Sequence, residues 1–360
     1  MAEAPFPYMR WAKAHLDGTW GPSNLGMSGV RPPSAEEREA WGLPSTSEIG
    51  DPLPALKAAL AEAAGLTPAH VYVTAGTSHA NFIAALTLAR GGRLAVEDPA
   101  YEALPRLAQA ISAEVVPLRR DPARGWRFDP ADLDAAAAAD VDLFLVTDLH
   151  NPSGQRLDDA DLEALTQAAA ACDAHVLVDE VYQAFDPTPR RTAVHHDPRI
   201  LTTNSFTKTH GLGDLRCGWI FADPEVITRI EAWDDLVHPQ QPPAMLAYAT
   251  RCLPHAPARL ASLREEAEAR IEQVDRWVQS TPGVSWVRPV GGITGFLALE
   301  APLDGDRVAA RLLEETGIRI VPGSFFQRPD HLRISYQLDE AELARALDAL
   351  GTVVAEELRA

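Results

Sequence analysis

Residues 202–219 read TTNSFTKTHGLGDLRCGW, and the interpretation of the chain begins with this stretch. It opens as an apolar β-type run, presents one lysine, Lys208, and continues through a glycine-containing loop to Arg216. An amine, the hydroxyls of Ser205 and Thr207 and a guanidinium at this spacing suit a ligand that carries an aldehyde and a phosphate dianion. Pyridoxal phosphate held by Lys208 as a Schiff base is such a ligand. A solvated lysine in a glycine-rich loop has the same local sequence, so other parts of the chain have to decide.

The composition limits the class of protein and its partners. At 360 residues the chain is long enough for a large domain and a smaller one. Its 32 basic and 51 acidic residues give a net charge of −19, which argues against nucleic acid or an anionic membrane as partner. The three cysteines form no CxxC pattern, so the sequence indicates neither a disulfide framework nor a zinc site. No run approaches the length of a membrane span and no secretory leader is visible, so we expect a cytoplasmic protein.

Hydrophobic patterning over the middle of the chain predicts an α/β fold. Short apolar runs predict strands at 71–74, 93–97, 113–118, 142–147, 175–180, 199–203 and 218–222. Amphipathic segments between most of them predict helices at 78–90, 101–112, 129–139 and 158–173. Strands that alternate with helices in this way indicate a large domain with a mostly parallel, doubly wound sheet.

The pattern changes in the last third of the chain, where a second, smaller α+β domain is expected. A long charged amphipathic segment at 257–280 predicts a helix, and further helices are predicted at 305–316 and at the C-terminus. Strands are predicted at 318–323 and 331–337. We therefore predict an N-terminal segment that packs with the small domain, a large cofactor-binding domain and a small C-terminal domain, at 1–45, 46–245 and 246–360.

In an open α/β sheet ligands bind at the carboxyl ends of the strands, so the residues that follow each strand are candidates. Gly76, Thr77 and Ser78 open a helix whose first amides and dipole would attract an anion. An ordinary N-cap by Thr77 or Ser78 is the alternative. Tyr101 comes just after the next strand, where it either stacks on a flat ring or covers the core.

Two further strand ends carry polar residues. Asn151, in the sequence HNPSG, either belongs only to a turn or also donates to a phenolate oxygen. Asp179 ends a nearly all-apolar strand, where an uncompensated carboxylate would be costly. It therefore needs a partner, which is either a set of backbone amides or a cation such as a protonated pyridine nitrogen. Tyr182, three residues later, could reach the same ring.

Taken together, these motifs resemble the fold-type-I pyridoxal-phosphate enzymes of the class I/II aminotransferase family. The resemblance runs from about Asn24 to the end of the chain, and its most specific part is Ser-x-x-Lys followed eight residues later by Arg. The segments that carry it, in this order, are GTSHA, EDPAY, HNPSG, VDEVY, SFTKTHGLGDLRCGW, PVGGITGF, VPGSFF and LRISY.

The resemblance implies roles for the residues around the cofactor ring. Lys208 carries pyridoxal 5′-phosphate as a Schiff base, and Asp179 pairs with the pyridine nitrogen. Asn151 and Tyr182 bind the phenolic oxygen, and Tyr101 stacks on the ring. Lys208, Asp179 and Tyr182 are the implied catalytic residues, and no metal is implied.

The resemblance also implies how phosphate and substrate are held. The implied phosphate ligands are Gly76, Thr77, Ser78, Ser205 and Arg216. Arg333, in LRISY, grips the substrate carboxylate with a bidentate fork, beside Asn151 and Gly29. Two departures stand out: Ser47 replaces a tyrosine that in the family often reaches the phosphate of the neighbouring subunit, and the loop reads GLGDLR where GLPGLR is commoner.

The implied function is an aminotransferase, in a homodimer with active sites near the interface, that moves an amino group between an L-amino acid and a 2-oxo acid. Decarboxylation or β-elimination (C–S lyase chemistry) on the same scaffold is the alternative, because the reaction depends on which substrate bond lies perpendicular to the ring. A non-catalytic sensor that binds the cofactor is a weaker alternative. A metal hydrolase built on His195, His196 and Asp197 is weaker still, because no second ligand group follows at recognisable spacing.

Overall fold

A computed structural model describes residues 33–42, 51–188, 190–239 and 241–359 of the chain. Gly29 and Ser47, and with them most of the predicted N-terminal segment, lie outside the described residues. The boundaries of the three predicted parts stay a prediction.

The larger of two sheets has eight strands, and its centre is parallel as predicted. The strands in chain order are β1 (Val71–Thr74), β2 (Arg93–Asp98), β3 (Glu114–Asp121), β4 (Arg127–Phe128), β5 (Leu143–Thr147), β6 (His175–Asp179), β7 (Ile200–Ser205) and β8 (Gly218–Phe221). Their spatial order is β1-β8-β7-β6-β5-β2-β3-β4. The five neighbouring strands β7, β6, β5, β2 and β3 are parallel to one another. Strand β8 runs antiparallel to both β1 and β7. All seven predicted strands are present, and the two-residue β4 was not predicted.

Helices cover both faces of this sheet. The helices in the first part of the chain are α1 (Ala35–Ala40), α2 (Leu53–Ala64), α3 (Thr77–Ala89), α4 (Ala103–Ala110), α5 (Pro130–Ala138), α6 (Asp159–Ala171), α7 (Pro224–Asp234) and α8 (Pro243–Cys252). Strand β5 shows why both faces need cover: Leu143 and Leu145 are buried in one apolar cluster, whereas Phe144 and Val146 are buried in another. Because alternate residues of a strand point to opposite faces, an all-apolar strand requires helices on each side.

The second sheet is small and antiparallel. Its strands are β9 (Val284–Trp286), β10 (Thr294–Leu299), β11 (Val321–Pro322) and β12 (His331–Ser335), in the spatial order β11-β12-β10-β9. The helices α9 (Ala256–Ser280), α10 (Gly305–Thr316) and α11 (Glu340–Glu357) accompany it. Their apolar faces and the sheet share one buried cluster that includes Val274, Leu297, Leu332 and Leu350. The predicted fold class, a large α/β unit with a small α+β unit, is confirmed.

The two sheets meet at an aromatic contact. The turn between β3 and β4 carries Trp126, which is buried at 2% exposure and packs on Phe296 of β10, with ring centroids 5.8 Å apart. Phe296 in turn packs on Phe326, at 5.7 Å. This contact fixes the small sheet beside the carboxyl ends of the parallel strands. Within the described residues no helix is long and apolar enough to cross a membrane.

Candidate active site

The predicted site residues converge on one cavity of about 710 Å³ at the carboxyl ends of the parallel strands. The predicted side chains that line it are Thr77, Ser78, Tyr101, Asn151, Asp179, Tyr182, Ser205, Lys208, Arg216 and Arg333. Residues from six separate motifs and from both sheets therefore reach the same space. Of the other two predicted site residues, Gly76 directly precedes Thr77, and Gly29 lies outside the described part of the chain.

Asp179 is one of the buried residues that line the cavity. It ends β6 and is 7% exposed. Its Oδ2 accepts from Nδ2 of Asn81 at 2.8 Å, and its Oδ1 accepts from the backbone amide of Val181 at 3.0 Å. Burial raises the pKa of Asp179 to about 6, although these two hydrogen bonds and the charge of Lys208 favour the ionised form. The carboxylate is thus only partly satisfied by the protein, which suits a cationic partner in the cavity.

Asn81 is a site residue that the sequence analysis missed. Oγ1 of Thr203, a fully buried residue of β7, donates to Oδ1 of Asn81 at 2.6 Å. This bond leaves the amide nitrogen of Asn81 facing Asp179 and fixes the orientation of the side chain. Its position in the sequence could have indicated this role, because Asn81 lies four residues after Thr77 on α3 and therefore on the same helix face.

One end of the cavity is formed by the start of α3. Its N-cap is Gly76, at φ +101°, and no side chain caps the helix, so the expected alternative of an N-cap by Thr77 or Ser78 is wrong. The first amides of α3 are therefore free of side-chain caps, and with the helix dipole they favour an anion. Arg216 approaches the same turn, and its Nη2 donates to the carbonyl of Ala75 at 3.0 Å.

The close packing around Gly76 explains why the turn has no side chain. A Cβ built on Gly76 would lie 2.8 Å from Nη2 of Arg216. A Cβ on Gly218 of β8 would lie 2.7 Å from Cα of Gly76 and 2.7 Å from the carbonyl oxygen of Asn204. Glycine at both positions lets the guanidinium and β8 approach the backbone of the turn.

The segment that carries Lys208 leaves β7 at the same end of the cavity. β7 ends at Ser205, whose Oγ accepts from the backbone amide of Thr207 at 3.3 Å. Lys208 follows as an exposed residue of the cavity wall. Arg216 adopts a left-handed backbone conformation (φ +44°), which is uncommon for a residue with a side chain and is held by its contacts with Ala75 and Gly213.

Three polar atoms along the cavity are buried and make no hydrogen bond to the described part of the protein. They are Oγ1 of Thr77 at one end, Oδ1 of Asn151, and Nε of Arg333 at the other end. Buried polar groups in proteins are nearly always paired, so a set of three in one cavity points to a polar ligand. An anion at Thr77, a phenolic O–H that donates to Oδ1 of Asn151 and a carboxylate at Arg333 would fit, and pyridoxal phosphate with an amino acid offers all three groups.

The small sheet supplies Arg333. In the register of β10 and β12, Arg333 lies opposite Phe296, and its guanidinium carbon lies 5.5 Å from the centre of the Phe326 ring. Burial lowers the pKa of the Arg333 guanidinium from its ordinary value, and burial raises the pKa of Tyr182.

Tyr101 is 47% exposed, so the expectation that it only covers the core is not supported.

The histidines near the motifs have structural partners. His150 is fully buried, with Nδ1 at 2.6 Å from Oγ of Ser153 and Nε2 at 2.9 Å from the carbonyl of Pro99. Burial lowers its pKa well below the ordinary value, which keeps the ring neutral. His195 and His196 face different partners, the carbonyl of Ala64 at 2.8 Å and Glu163 at 3.4 Å, so they do not form the metal site considered above.

Comparison with known proteins agrees with this geometry. The family profile described as "Aminotransferase class I and II" matches residues 44–350. The chain belongs to this family. It is a pyridoxal-phosphate-dependent aminotransferase by family, and pyridoxal 5′-phosphate is the cofactor of the family.

Similar curated proteins include two from Streptomyces. The chain is 30% identical to capreomycidine synthase of Streptomyces vinaceus, over 82% of this chain and 77% of that protein. It is 26% identical to aspartate aminotransferase of Streptomyces avermitilis, over 84% of this chain and 80% of that protein.

Solved structures share the fold. A mutant of Thermus thermophilus aspartate aminotransferase superposes with a TM-score of 0.78 and 25% identity, over 88% of this chain and 90% of that chain. A pyridoxal-phosphate-dependent aminotransferase of Streptococcus suis has a TM-score of 0.80 at 24% identity, over 89% of this chain and 86% of that chain, and this likeness shows the fold alone.

Proposed function

We propose that the protein moves an amino group between an L-amino acid and a 2-oxo acid, with Lys208 as the residue that carries the cofactor. The observation that supports this most is the row of three unpaired buried polar atoms, on Thr77, Asn151 and Arg333, in one cavity that also contains Lys208 and Asp179. Family membership supports the reaction class, and the cavity supports the assignment of residues.

The phosphate end of the site is formed by the first turn of α3 with Ser205 and Arg216. Uncapped helix amides, the hydroxyls and a guanidinium that already contacts the turn together offer donors and positive charge to a dianion. These groups would hold the phosphate and so fix the position of the cofactor in the cavity.

Lys208 and Asp179 do the proton chemistry. When bound, pyridoxal phosphate supplies an aldehyde that condenses with amines and a ring that withdraws electrons from the substrate Cα. Asp179, buried and hydrogen-bonded to Asn81, holds a proton on the ring nitrogen through its negative charge. Nζ of Lys208 would hold the cofactor as a Schiff base, and as a free amine it would take the proton from the substrate Cα and carry it for return.

Arg333 and Asn151 orient the substrate. The guanidinium is fixed by β12 and by the Phe326 ring, and it offers a bidentate fork to the α-carboxylate. The backbone N–H of Asn151 donates to Oγ1 of Thr147 at 3.1 Å, which holds this residue in place. We include Gly29 beside the substrate on the strength of the sequence motifs alone, and Tyr101 on the cofactor ring because it also lines the cavity.

A second candidate is a decarboxylation or an elimination at the same amino acid. It stays a candidate because the relative at 30% identity is named a synthase, whereas the 26% identical relative from Streptomyces is named an aminotransferase, so relatives at this identity are not all named for transamination. The same residues would hold the substrate in both cases. The two candidates differ in the substrate bond that breaks and in the products.

The assignment of Lys208 is tested by reducing the protein with borohydride after adding pyridoxal phosphate and mapping the modified peptide. We expect one cofactor per chain on the peptide that contains Lys208, and no adduct in Lys208→Ala. Arg319→Ala, which removes a cation outside the cavity, should label like the unmodified protein. Labelling at another lysine, or equal labelling of Lys208→Ala, would contradict the assignment.

We also propose a homodimer and a cytoplasmic location. Both proposals rest on the sequence motifs, the charge and the cysteine pattern. Sedimentation of the purified protein tests the first, since a chain of 39.0 kDa should sediment at twice that mass.

A further inference from the structure

Behind the start of α3 lies a second polar cluster, which the reaction described above does not use. Its centre is Asp234, the last residue of α7, whose side chain is fully buried. Oδ2 of Asp234 accepts from the Tyr72 hydroxyl at 2.8 Å, and Oδ1 lies 2.7 Å from Nε2 of His79. A buried carboxylate at the C-terminal end of a helix is opposed by desolvation and by the helix dipole, so its presence needs a reason.

The hydrogen bonds of His79 determine which ring nitrogen carries the proton. The backbone amide of Ala75 donates to Nδ1 of His79 at 3.1 Å, so Nδ1 must be an acceptor. The proton of the neutral ring is then on Nε2, from which it is donated to Asp234. Asp234 therefore stabilises the form of His79 that can accept from Ala75.

The same groups could suggest a metal site, because ligand atoms of His79, Asp234 and His238 lie within 4.8 Å of one another. A histidine binds a metal through a nitrogen lone pair and usually donates its other N–H to an acceptor. Here Nδ1 of His79 faces an N–H donor, so Nε2 carries the proton and offers no lone pair. The geometry consequently favours a relay of hydrogen bonds over a metal.

This relay ends at the phosphate-binding turn. The amide of Ala75 donates to His79, and the carbonyl of Ala75 accepts from Nη2 of Arg216 at 3.0 Å. Ala75 is thus held by the relay through its N–H and by the proposed phosphate arginine through its carbonyl. Gly76 follows directly and leads into the first amides of α3, with no room for a side chain between it and Arg216.

We propose that His79 is a positioning residue for the phosphate-binding turn, oriented by Asp234. It does not touch the cofactor; it holds the Ala75–Gly76 backbone so that the α3 amides and Arg216 converge on one anion. This inference rests on the proposed function in one respect, namely that the cofactor phosphate binds at this turn.

The test compares the binding of pyridoxal 5′-phosphate and of pyridoxal, which lacks the phosphate, to the cofactor-free protein. In His79→Asn the side-chain oxygen can take the place of Nδ1, which keeps an acceptor for Ala75. In His79→Gln the longer side chain places its amide group at the position of Nε2. This variant keeps a hydrogen-bond partner for Asp234 but has no acceptor for the backbone amide of Ala75. Tyr72→Phe removes a bond to Asp234 without touching the Ala75 contact and is the matched control.

We expect His79→Gln to bind pyridoxal 5′-phosphate roughly tenfold more weakly, as the loss of one buried hydrogen bond implies, with pyridoxal nearly unaffected. His79→Asn and Tyr72→Phe should keep the preference for the phosphorylated form. If His79→Gln does not fold, Asp234→Leu replaces it, because leucine offers no acceptor to Nε2–H of His79, and its preference for the phosphorylated form should fall as well.

The outcomes separate the two levels of the proposal. Equal binding of both ligands by the unmodified protein would mean that the proposed phosphate site is wrong. A normal preference in His79→Gln would overturn only the role of His79. An equal loss for both ligands, with a lower unfolding temperature in His79→Asn as well, would assign His79 a purely structural role and overturn the inference. Stabilisation of the unmodified protein by Zn²⁺, absent from His79→Gln, would assign a metal site instead.

Discussion

Replacement of Asn81 by alanine should destabilise the cofactor-free protein in a pH-dependent manner. Asn81 is 4% exposed and donates to Asp179 at 2.8 Å, a bond that stabilises the ionised carboxylate. Burial already raises the pKa of Asp179 to about 6, so removing this donor raises it further. A hydrogen bond to a charged group contributes about 2 kcal/mol, which corresponds to a further rise of about 1.5 pKa units.

The sign follows from proton linkage. Since the pKa of Asp179 is higher in the folded protein than in the unfolded chain, the folded state binds the proton more tightly. The free energy of unfolding therefore falls as pH rises from about 4 through the folded-state pKa, and it stays low above that pH. In Asn81→Ala the free energy of unfolding continues to fall up to about pH 7.5. Above that pH the variant is therefore less stable than the unmodified protein by a further ~2 kcal/mol, and this difference is nearly absent at about pH 5.

Urea unfolding of both proteins at about pH 5 and about pH 8.5 measures this difference. The cavity left by the substitution costs the same at both pH values and cancels. Thr203→Val is the control, because it removes the donor to Oδ1 of Asn81 at 2.6 Å, whereas the ionised Asp179 still favours the orientation in which Nδ2 of Asn81 faces it. Equal destabilisation of Asn81→Ala at both pH values would show that Asn81 does not stabilise the carboxylate.

Two further predictions concern the substrate and the turn. Arg333→Lys keeps the charge but loses the bidentate fork, so KM for the amino acid should rise about tenfold to hundredfold with a smaller change in kcat; a change confined to kcat would contradict substrate binding by Arg333. Gly218→Ala places a Cβ 2.7 Å from Cα of Gly76, so thermal unfolding should show a loss of about 1–3 kcal/mol and cofactor binding should weaken. Gly213→Ala, whose Cβ would lie 3.5 Å from Thr207, should be nearly neutral, and equal effects of the two changes would refute the steric argument.

Much of the fold follows from the sequence because apolar strands and amphipathic helices alternate with clear periods. The positions of Asp179 and Lys208 in the cavity could also be predicted, since each comes soon after an apolar strand and parallel strands end at one edge of the sheet. β4 was missed because two residues carry no periodicity. The sequence allows both an N-cap by Thr77 or Ser78 and an uncapped start of α3. Only the structure, in which Gly76 at φ +101° is the N-cap residue, decides between them.

The supporting contacts could not be predicted because they join distant parts of the chain. Asn81 and Asp179 are 98 residues apart, and His79 and Asp234 are 155 residues apart. Neither Asn81 nor His79 differs locally from an ordinary polar residue of a helix. Their partners become visible only when α3 is packed on β6, β7 and α7.

The central claim is best tested by a half-reaction with a single L-amino acid and no 2-oxo acid. The purified protein, loaded with pyridoxal phosphate, is mixed with the amino acid, and the absorbance of the cofactor and the products are followed together. We predict that the amino acid converts the cofactor to its amino form with one equivalent of 2-oxo acid per site, and that an added 2-oxo acid restores the original spectrum. Release of carbon dioxide or ammonia without conversion of the cofactor would contradict transamination and favour the lyase or decarboxylase alternative.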